Sequence, residues 1–454
     1  MGRPGRFSLR SCSPPGSNFY SYEVSKLMSS KTGIVIVGGG VAGLALATRL
    51  GATVGKQGEA RITLIDRGFS HVWKPMLHCF AAGTASNEND RISFMGQASA
   101  HNFEFWPGDV VGLDREKREI TLGPLQASDG QVVLESRTIG YDLLIFAIGS
   151  CANDFRTPGV AEHCLFIDNL VEANGFNEKF RMELLRAYAT GSELNIAIVG
   201  GGATGTQLAA ELHKAIEIVE LHAFGASPPK MRITLLEAGP RIVPAFPESV
   251  SAAAEKELAR LGVTVRTSAM VSGADAEGFS LKDGTHVPAS LRVWAAGVKA
   301  PDVTKAYGGL SLGRSGQIVV HPNLQSIDDE RIFAMGDCSY IADEPLPPTA
   351  QVARQQAHHL ARHIPALLRS GKPVPSCVFR NKGAIVALGD YNGWGTLPGG
   401  GVFGGGWMKG LAARLGHVML YRQHQIELYG FWRGMMSLLA DLVDAAARPS
   451  ARLD

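Results

Sequence analysis

The sequence predicts an α/β fold of two parallel-sheet domains in series, followed by a C-terminal region of different character. Two observations carry this expectation. The order of short β-branched run, glycine turn and alanine-rich helical stretch occurs twice, at 33–50 and 195–212, and each copy leads to a second strand that ends in an acid. The length, 454 residues, also exceeds one ordinary domain and suits two or three.

In the first copy the run Gly33 to Val37 reads as a buried strand, followed by Gly38-Gly39-Gly40-Val41-Ala42-Gly43. Gly38 permits the tight turn, Gly40 lets backbone approach a pyrophosphate, and Gly43 lets the helix pack close to the strand. The helix N-terminus is left aimed at phosphate. The next strand, Arg61 to Ile65, ends at Asp66, about 20 residues past the turn, where a carboxylate receives ribose hydroxyls.

The second copy runs from the strand Asn195 to Val199 through Gly200-Gly201-Gly202-Ala203-Thr204-Gly205 to a helix reaching Leu212. Its strand Arg232 to Leu236 ends at Glu237, and the delay reads as an insertion over Leu221 to Lys230. One glycine signature is weak evidence; two copies, each closed by a strand-end acid, specify two Rossmann-like dinucleotide-binding domains. Between them, Val110 to Phe146 reads as a β-meander that ends in Tyr141 to Gly149. Far downstream, Arg331 to Ala334 is a strand closed by Gly336-Asp337, whose carboxylate can bond the ribityl chain of a flavin.

Bulk properties exclude other classes. The formal net charge is +2, from 44 basic and 42 acidic side chains, so no nucleic-acid partner is expected. Hydrophobic residues reach 45% and charged ones 19%, which leaves a membrane surface open. Cys12, Cys79, Cys151, Cys164, Cys338 and Cys377 show no CxxC pair and no metal-ligand spacing, so they read as reduced thiols and no metal is expected. No stretch approaches the ~20 consecutive apolar residues that span a bilayer. Residues 1–30 carry Arg3, Arg6 and Arg10 among serines, with no acid before Glu23, the composition of a transit peptide. Met28, just ahead of the first strand, supports the rival reading of an overextended start or a disordered tail.

The two nucleotide turns with a returning Gly-Asp strand resemble the two-dinucleotide-binding-domain flavoproteins. Within that superfamily, the runs His71-Val72-Trp73-Lys74-Pro75-Met76-Leu77-His78, Trp294-Ala295-Ala296-Gly297-Val298 and Pro347-Pro348-Thr349-Ala350-Gln351-Val352-Ala353-Arg354-Gln355-Gln356 look like the type II NADH dehydrogenases. The resemblance spans about Thr32 to beyond Gly430. It implies hydride transfer from NADH to FAD and onward electron transfer to a membrane quinone, without ion pumping.

The resemblance also implies an FAD domain over 31–155 and 310–372, an NADH domain over 156–309, and a C-terminal membrane-associating region over 373–454. FAD would meet Gly38, Gly40, Gly43, Asp66, Lys74, Gly149, Gly336, Asp337 and Ala350. NADH would meet Gly200, Gly202, Gly205, Glu237 and Gly297, with Glu237 disfavouring the 2′-phosphate of NADPH and nearby Arg241 arguing the other way. Gln351 and Gln355, one helical turn apart, would reach a quinone oxygen.

Two departures stand out. Gln207 replaces the glutamate that the family carries after its second turn, and an amide does not relay protons as a carboxylate does. Cys79 replaces the glutamate of the family's Leu-His-Glu and reads as a packed small residue.

In the C-terminal region Cys377 to Leu388 reads as strand and Gly395 to Gly406 as loop. Two apolar stripes follow, at Leu411, Leu415, Val418 and Met419 and at Trp432, Met435, Met436, Leu439, Leu442 and Val443. Alone, such stripes suit core or a homodimer contact; with a lipid-dissolved quinone implied, they suit peripheral docking on a bilayer, with Trp394, Trp407 and Trp432 as anchors. The expected place is the cytoplasmic face of the inner membrane, or the matrix side if the leader is a transit peptide. Two rivals stay open. A sulfide:quinone oxidoreductase would need paired cysteines beside the flavin, and an NADH-binding flavoprotein sensor would turn over slowly.

Overall fold

The computed structural model describes residues 31–85, 91–127, 129–222, 230–397, 401–404 and 419–447. The expected leader, Trp407, Leu411, Leu415, Val418 and most of the insertion after Leu221 lie outside them.

The first domain is organised by a five-stranded sheet in the order Ile332–Ala334, Leu143–Phe146, Thr32–Val37, Ala60–Asp66, Glu104–Pro107. All its pairings are parallel. Its central strands are continuous Ile, Leu and Val runs because helices and loops cover both faces. Ile34, Ile36, Leu64, Ile145 and Phe333 are fully buried, each burial stabilising by roughly 1.5–3 kcal/mol. The second domain repeats the scheme with four parallel strands ordered Thr264–Arg266, Met231–Leu236, Leu194–Val199, Leu291–Trp294. The expected meander is present as an antiparallel sheet of Val110–Asp114, Glu119–Leu122 and Arg137–Gly140; Leu143–Phe146 leaves it for the parallel sheet.

The chain leaves the first domain along Cys151–Ala152 and returns along Val298–Lys299, and these segments pair with each other antiparallel. The return comes earlier than the expected residue 310. Ala300, Tyr307 and Leu310 already belong to the first core, and the Tyr307 ring stacks on Phe146 at 4.6 Å.

The C-terminal region is divided between the two domains instead of forming one piece. Ala384–Leu388, Asn392–Thr396 and Val402–Gly404 make an antiparallel sheet, and Val386, Leu388 and Trp394 enter the second core. Three expectations are corrected. The strand begins at Ala384 instead of Cys377. Gly395, expected in a loop, pairs with Ile385 and Phe403. Trp394, only 4% exposed, is a core residue and no surface anchor.

Helix 419–429 returns to the first core through Leu428. After Gly430, at φ +82°, the helix Phe431–Ala447 presents Phe431, Trp432, Met436, Leu439 and Val443 to solvent. Among the described residues no helix is long and apolar enough to cross a membrane.

Candidate functional site

The two glycine turns have the same local construction. Gly38 adopts φ +101° and donates to Ile65 O at 2.7 Å. Gly200 adopts φ +111° and donates to Leu236 O at 2.8 Å. A Cβ on Gly43 would lie 1.8 Å from the Gly38 oxygen, and one on Gly205 2.0 Å from the Gly200 oxygen, so each helix packs on its turn only as glycine. Around Gly40 and Gly202, by contrast, an added Cβ would meet nothing within 4 Å. That open space beside a helix start is where a pyrophosphate fits.

The strand-end acids match as well. Asp66 accepts from the N–H groups of Gly39 and Gly68, each at 2.7 Å. Glu237 accepts from Gly201 at 2.7 Å and Gly239 at 2.6 Å. Each carboxylate oxygen keeps a lone pair for a ribose hydroxyl. Burial raises the Asp66 carboxyl above its usual range, with the Gly39 and Gly68 N–H groups opposing. The Arg241 guanidinium is engaged within its own loop and the following helix: it donates to Phe246 O at 2.6 Å, Ser251 Oγ at 2.7 Å and Pro244 O at 2.9 Å.

At the carboxyl ends of the first sheet, Gly149 and Gly336 both turn at φ +70°. Asp337 Oδ2 accepts from the Ser150 hydroxyl at 2.7 Å, and Lys74 Nζ donates to Ser150 O at 2.7 Å. Gly336 N–H donates to Gln356 Oε1 at 2.6 Å. The helix Ala350–Ser370, capped by the Thr349 side chain, starts here, and a pocket lined by Gly336, Asp337, Tyr340, Pro348, Val352 and Gln356 borders it. The predicted Lys74, Gly149, Gly336, Asp337 and Ala350 are thus brought together with two residues that sequence reading missed. Ser150 carried no motif of its own, and Gln356 stood within the glutamine run, unchosen beside Gln355.

The two chosen glutamines differ from expectation. Gln351 Nε2 donates to Gly383 O at 2.9 Å and its oxygen accepts from Lys382 N at 2.7 Å. Gln355 Nε2 donates to Arg380 O at 2.9 Å and its oxygen accepts from Arg380 N at 3.0 Å. The second amide hydrogen of Gln355 points to Gln351 Oε1 at 3.5 Å. These amides hold the 380–383 segment, which explains why that stretch is not strand; only Gln351 keeps an amide hydrogen without a partner among the described residues.

Gln207 is buried, 7% exposed, on the helix Ala203–His222. Gly297 turns at φ +67°, against the Phe155 ring. Cys79 lies beside Glu211, a buried acid one helical turn beyond Gln207 that the sequence reading passed over, and the Thr84 hydroxyl donates to that carboxylate. Ligand atoms of His78, Cys79 and Glu211 lie within 4.8 Å of one another. Burial, then the Glu211 charge, pushes the Cys79 thiol well above its usual range, as for a packed thiol. Cys79, Cys151, Cys164, Cys338 and Cys377 are all free. Burial holds Cys164 and Cys338 at about 12 and Cys377 at about 11, so none is poised as a thiolate.

A nucleotide turn and acid built twice, with the second copy inserted in the first, define a two-dinucleotide oxidoreductase, and the family model for pyridine nucleotide-disulphide oxidoreductases matches residues 32–357. A type II NADH:quinone oxidoreductase of Haemophilus influenzae is 37% identical over 444 residues, 92% of this chain and 99% of that protein. The Staphylococcus aureus enzyme of the same name is 27% identical over 378 residues, 81% of this chain and 90% of that one. The chain belongs to the type II NADH:quinone oxidoreductases. Solved structures that share its fold include the following two. NDH2 of Plasmodium falciparum in complex with NADH has a TM-score of 0.78 at 18% identity, covering 93% of this chain and 100% of that one. The Aquifex aeolicus sulfide:quinone oxidoreductase has 0.66 at 17%, covering 89% and 92%.

Proposed function

We propose that the chain oxidises NADH and reduces a quinone through FAD, with FAD on the first turn and NADH on the second. The observation that carries this reading is the duplicated cradle together with the Ser150, Asp337 and Lys74 group, which among the described residues stands in the first domain alone. FAD, when bound, supplies the chemistry of hydride acceptance and two-electron release.

The protein's own part is positioning. Asp66 and Glu237 receive ribose hydroxyls, and Glu237 meets a 2′-phosphate with repulsion while Arg241 is tied up elsewhere. Asp337 and Ser150 offer a hydroxyl-binding pair for the ribityl chain, and Lys74 closes that side. The remaining amide hydrogen of Gln351 is the donor for a quinone oxygen, while Gln355 acts through the 380–383 segment that it holds. Gln207 orients and excludes water without donating a proton.

Docking on a bilayer falls to the helix Phe431–Ala447, whose exposed Trp432, Met436, Leu439 and Val443 form an apolar face suited to the lipid boundary. A homodimer through the same face is the alternative occupant. Trp432→Asp with Met436→Glu separates them: loss of vesicle flotation with unchanged mass in solution supports docking, and a halved mass supports the dimer.

The direct test adds NADH and a short-chain quinone to purified holoprotein. Rapid quinone-dependent NADH loss is expected. Sulfide-dependent quinone reduction, or flavin bleaching without turnover, overturns the reading.

A further inference from the structure

The Gly39 carbonyl, in the middle of the first glycine turn, accepts from His71 Nδ1 at 3.0 Å, and His71 Nε2 lies 2.9 Å from Nε2 of His424. Both rings are buried, at 3% and 1% exposure, with the Trp73 ring 4.7 Å from that of His424. A carbonyl only accepts, so His71 Nδ1 carries the hydrogen. In a neutral ring Nε2 is then a bare acceptor, and His424 Nε2 must carry the hydrogen between them. That leaves His424 Nδ1 as a bare lone pair, and this atom is buried without a partner among the described residues. The orphan is what the directional chain requires, since its donor end is spent on His71.

The consequence falls on the turn. Gly39 N–H is held by Asp66 at 2.7 Å, and its C=O by His71. Across a planar trans peptide the C=O of Gly39 and the N–H of Gly40 point in opposite directions, so holding the oxygen on the histidine side aims the Gly40 N–H away from it. No acceptor for that N–H is found among the described residues.

His424 is delivered by helix 419–429, which a second contact clamps to the same domain. The buried side chain of Glu427 pairs with Arg49 at 3.0 Å, Arg354 at 2.6 Å and His358. Arg49 sits on the helix that follows the turn, and Arg354 and His358 sit on the glutamine helix.

We propose that His424 is a positioning residue for FAD: through His71 it fixes the Gly39–Gly40 peptide so that the Gly40 N–H meets the cofactor's pyrophosphate. This rests on the reading that the first turn holds FAD. The C-terminal segment thereby becomes part of the flavin site through His71.

The test compares His424→Leu with His424→Gln in full-length holoprotein, reading the rate at which FAD is released on dilution and the ring-nitrogen NMR signals of His71 in histidine-labelled protein. Glutamine retains an N–H for His71 Nε2 and leucine does not. FAD release about tenfold faster in the leucine variant is expected, as for one lost buried hydrogen bond, with the glutamine variant close to the parent. The parent's His71 should show a protonated Nδ1 and a bare Nε2, and the leucine variant a mixture.

Equal release rates in the two variants, or a parent His71 protonated at Nε2, overturn the proposal. The second readout decides even if the leucine variant does not fold. Gly43→Val separates the two layers of argument: FAD retention there sinks the assignment of the turn, whereas FAD loss there with parental release in His424→Leu sinks the histidine pair alone.

Discussion

In the second turn the Gly201 carbonyl accepts from the backbone N–H of Val243 at 2.6 Å, whereas in the first turn the corresponding Gly39 carbonyl accepts from the His71 ring at 3.0 Å. The N–H of the same glycine goes to the strand-end acid in both. The second cradle is therefore closed by a loop of its own domain. The first is completed by a side chain that is itself held by His424, near the other end of the chain. Two copies of one motif thus differ in autonomy: the second turn is finished locally, and the first is completed through a residue near the C-terminus.

The largest expected effect breaks the copies one at a time. Gly43→Val should give protein that does not retain FAD, while Gly205→Val should stay yellow but lose NADH-dependent bleaching; absorbance at the flavin band reads both. Truncation after Gly404, which keeps the sheet strands that enter the second core and removes His424, should likewise cost FAD, while NADH still protects the second domain from proteolysis; equal loss of both would erase the difference in autonomy.

Glu237→Gln sharpens the comparison on the acid side. One carboxylate oxygen becomes an NH2 facing a backbone N–H, which costs about 1–3 kcal/mol of binding or stability. KM for NADH should rise about tenfold with kcat little changed, and preference over NADPH should narrow, as steady-state kinetics with both nucleotides would show.

Acid sensitivity gives a smaller effect. Burial lowers His71 to about 4 and His424 to about 2, so their neutral forms stabilise the fold fully above pH 6.5, and that contribution is lost as pH falls from 6.5 through these values. Burial alone would raise the Glu427 carboxyl; His358, Arg354 and Arg49 outweigh it and hold it at about 2, so its contribution is present above pH 4.5 and lost below. Tm should fall between pH 6.5 and 4, and fall less steeply in His424→Gln. The smallest effect separates the glutamines: Gln351→Ala should raise KM for quinone more than Gln355→Ala does.

The parallel sheets and both cradles were legible because their signals are local: a strand, a glycine turn and an acid within a few tens of residues. The open surroundings of Gly40 and Gly202 are legible in the motif itself, which demands that space. Ser150 and Gln356 were not legible, because what recruits them is the approach of Asp337 and Gly336 across the sheet. His71 lay inside a quoted motif, yet its partner stands hundreds of residues away, and no periodicity connects a strand histidine to one on a late helix. Trp394 misled for a related reason. A tryptophan in a glycine-rich stretch suggests a surface, and only the pairing of Asn392–Thr396 with its neighbours turns it into the second core.

The paired crossing strands Cys151–Ala152 and Val298–Lys299 have a consequence for how the chain matures. During synthesis the edge of Leu143–Phe146 that will receive Ile332–Ala334 emerges long before its neighbour does, and the whole intervening domain is made in the interval. That inserted body can form its parallel sheet first, before Val386, Leu388 and Trp394 arrive to finish its core, and in doing so draws its two ends side by side. The ribosome thus delivers the inserted half with its ends already clasped, and that closure brings the late strand within reach of the early sheet.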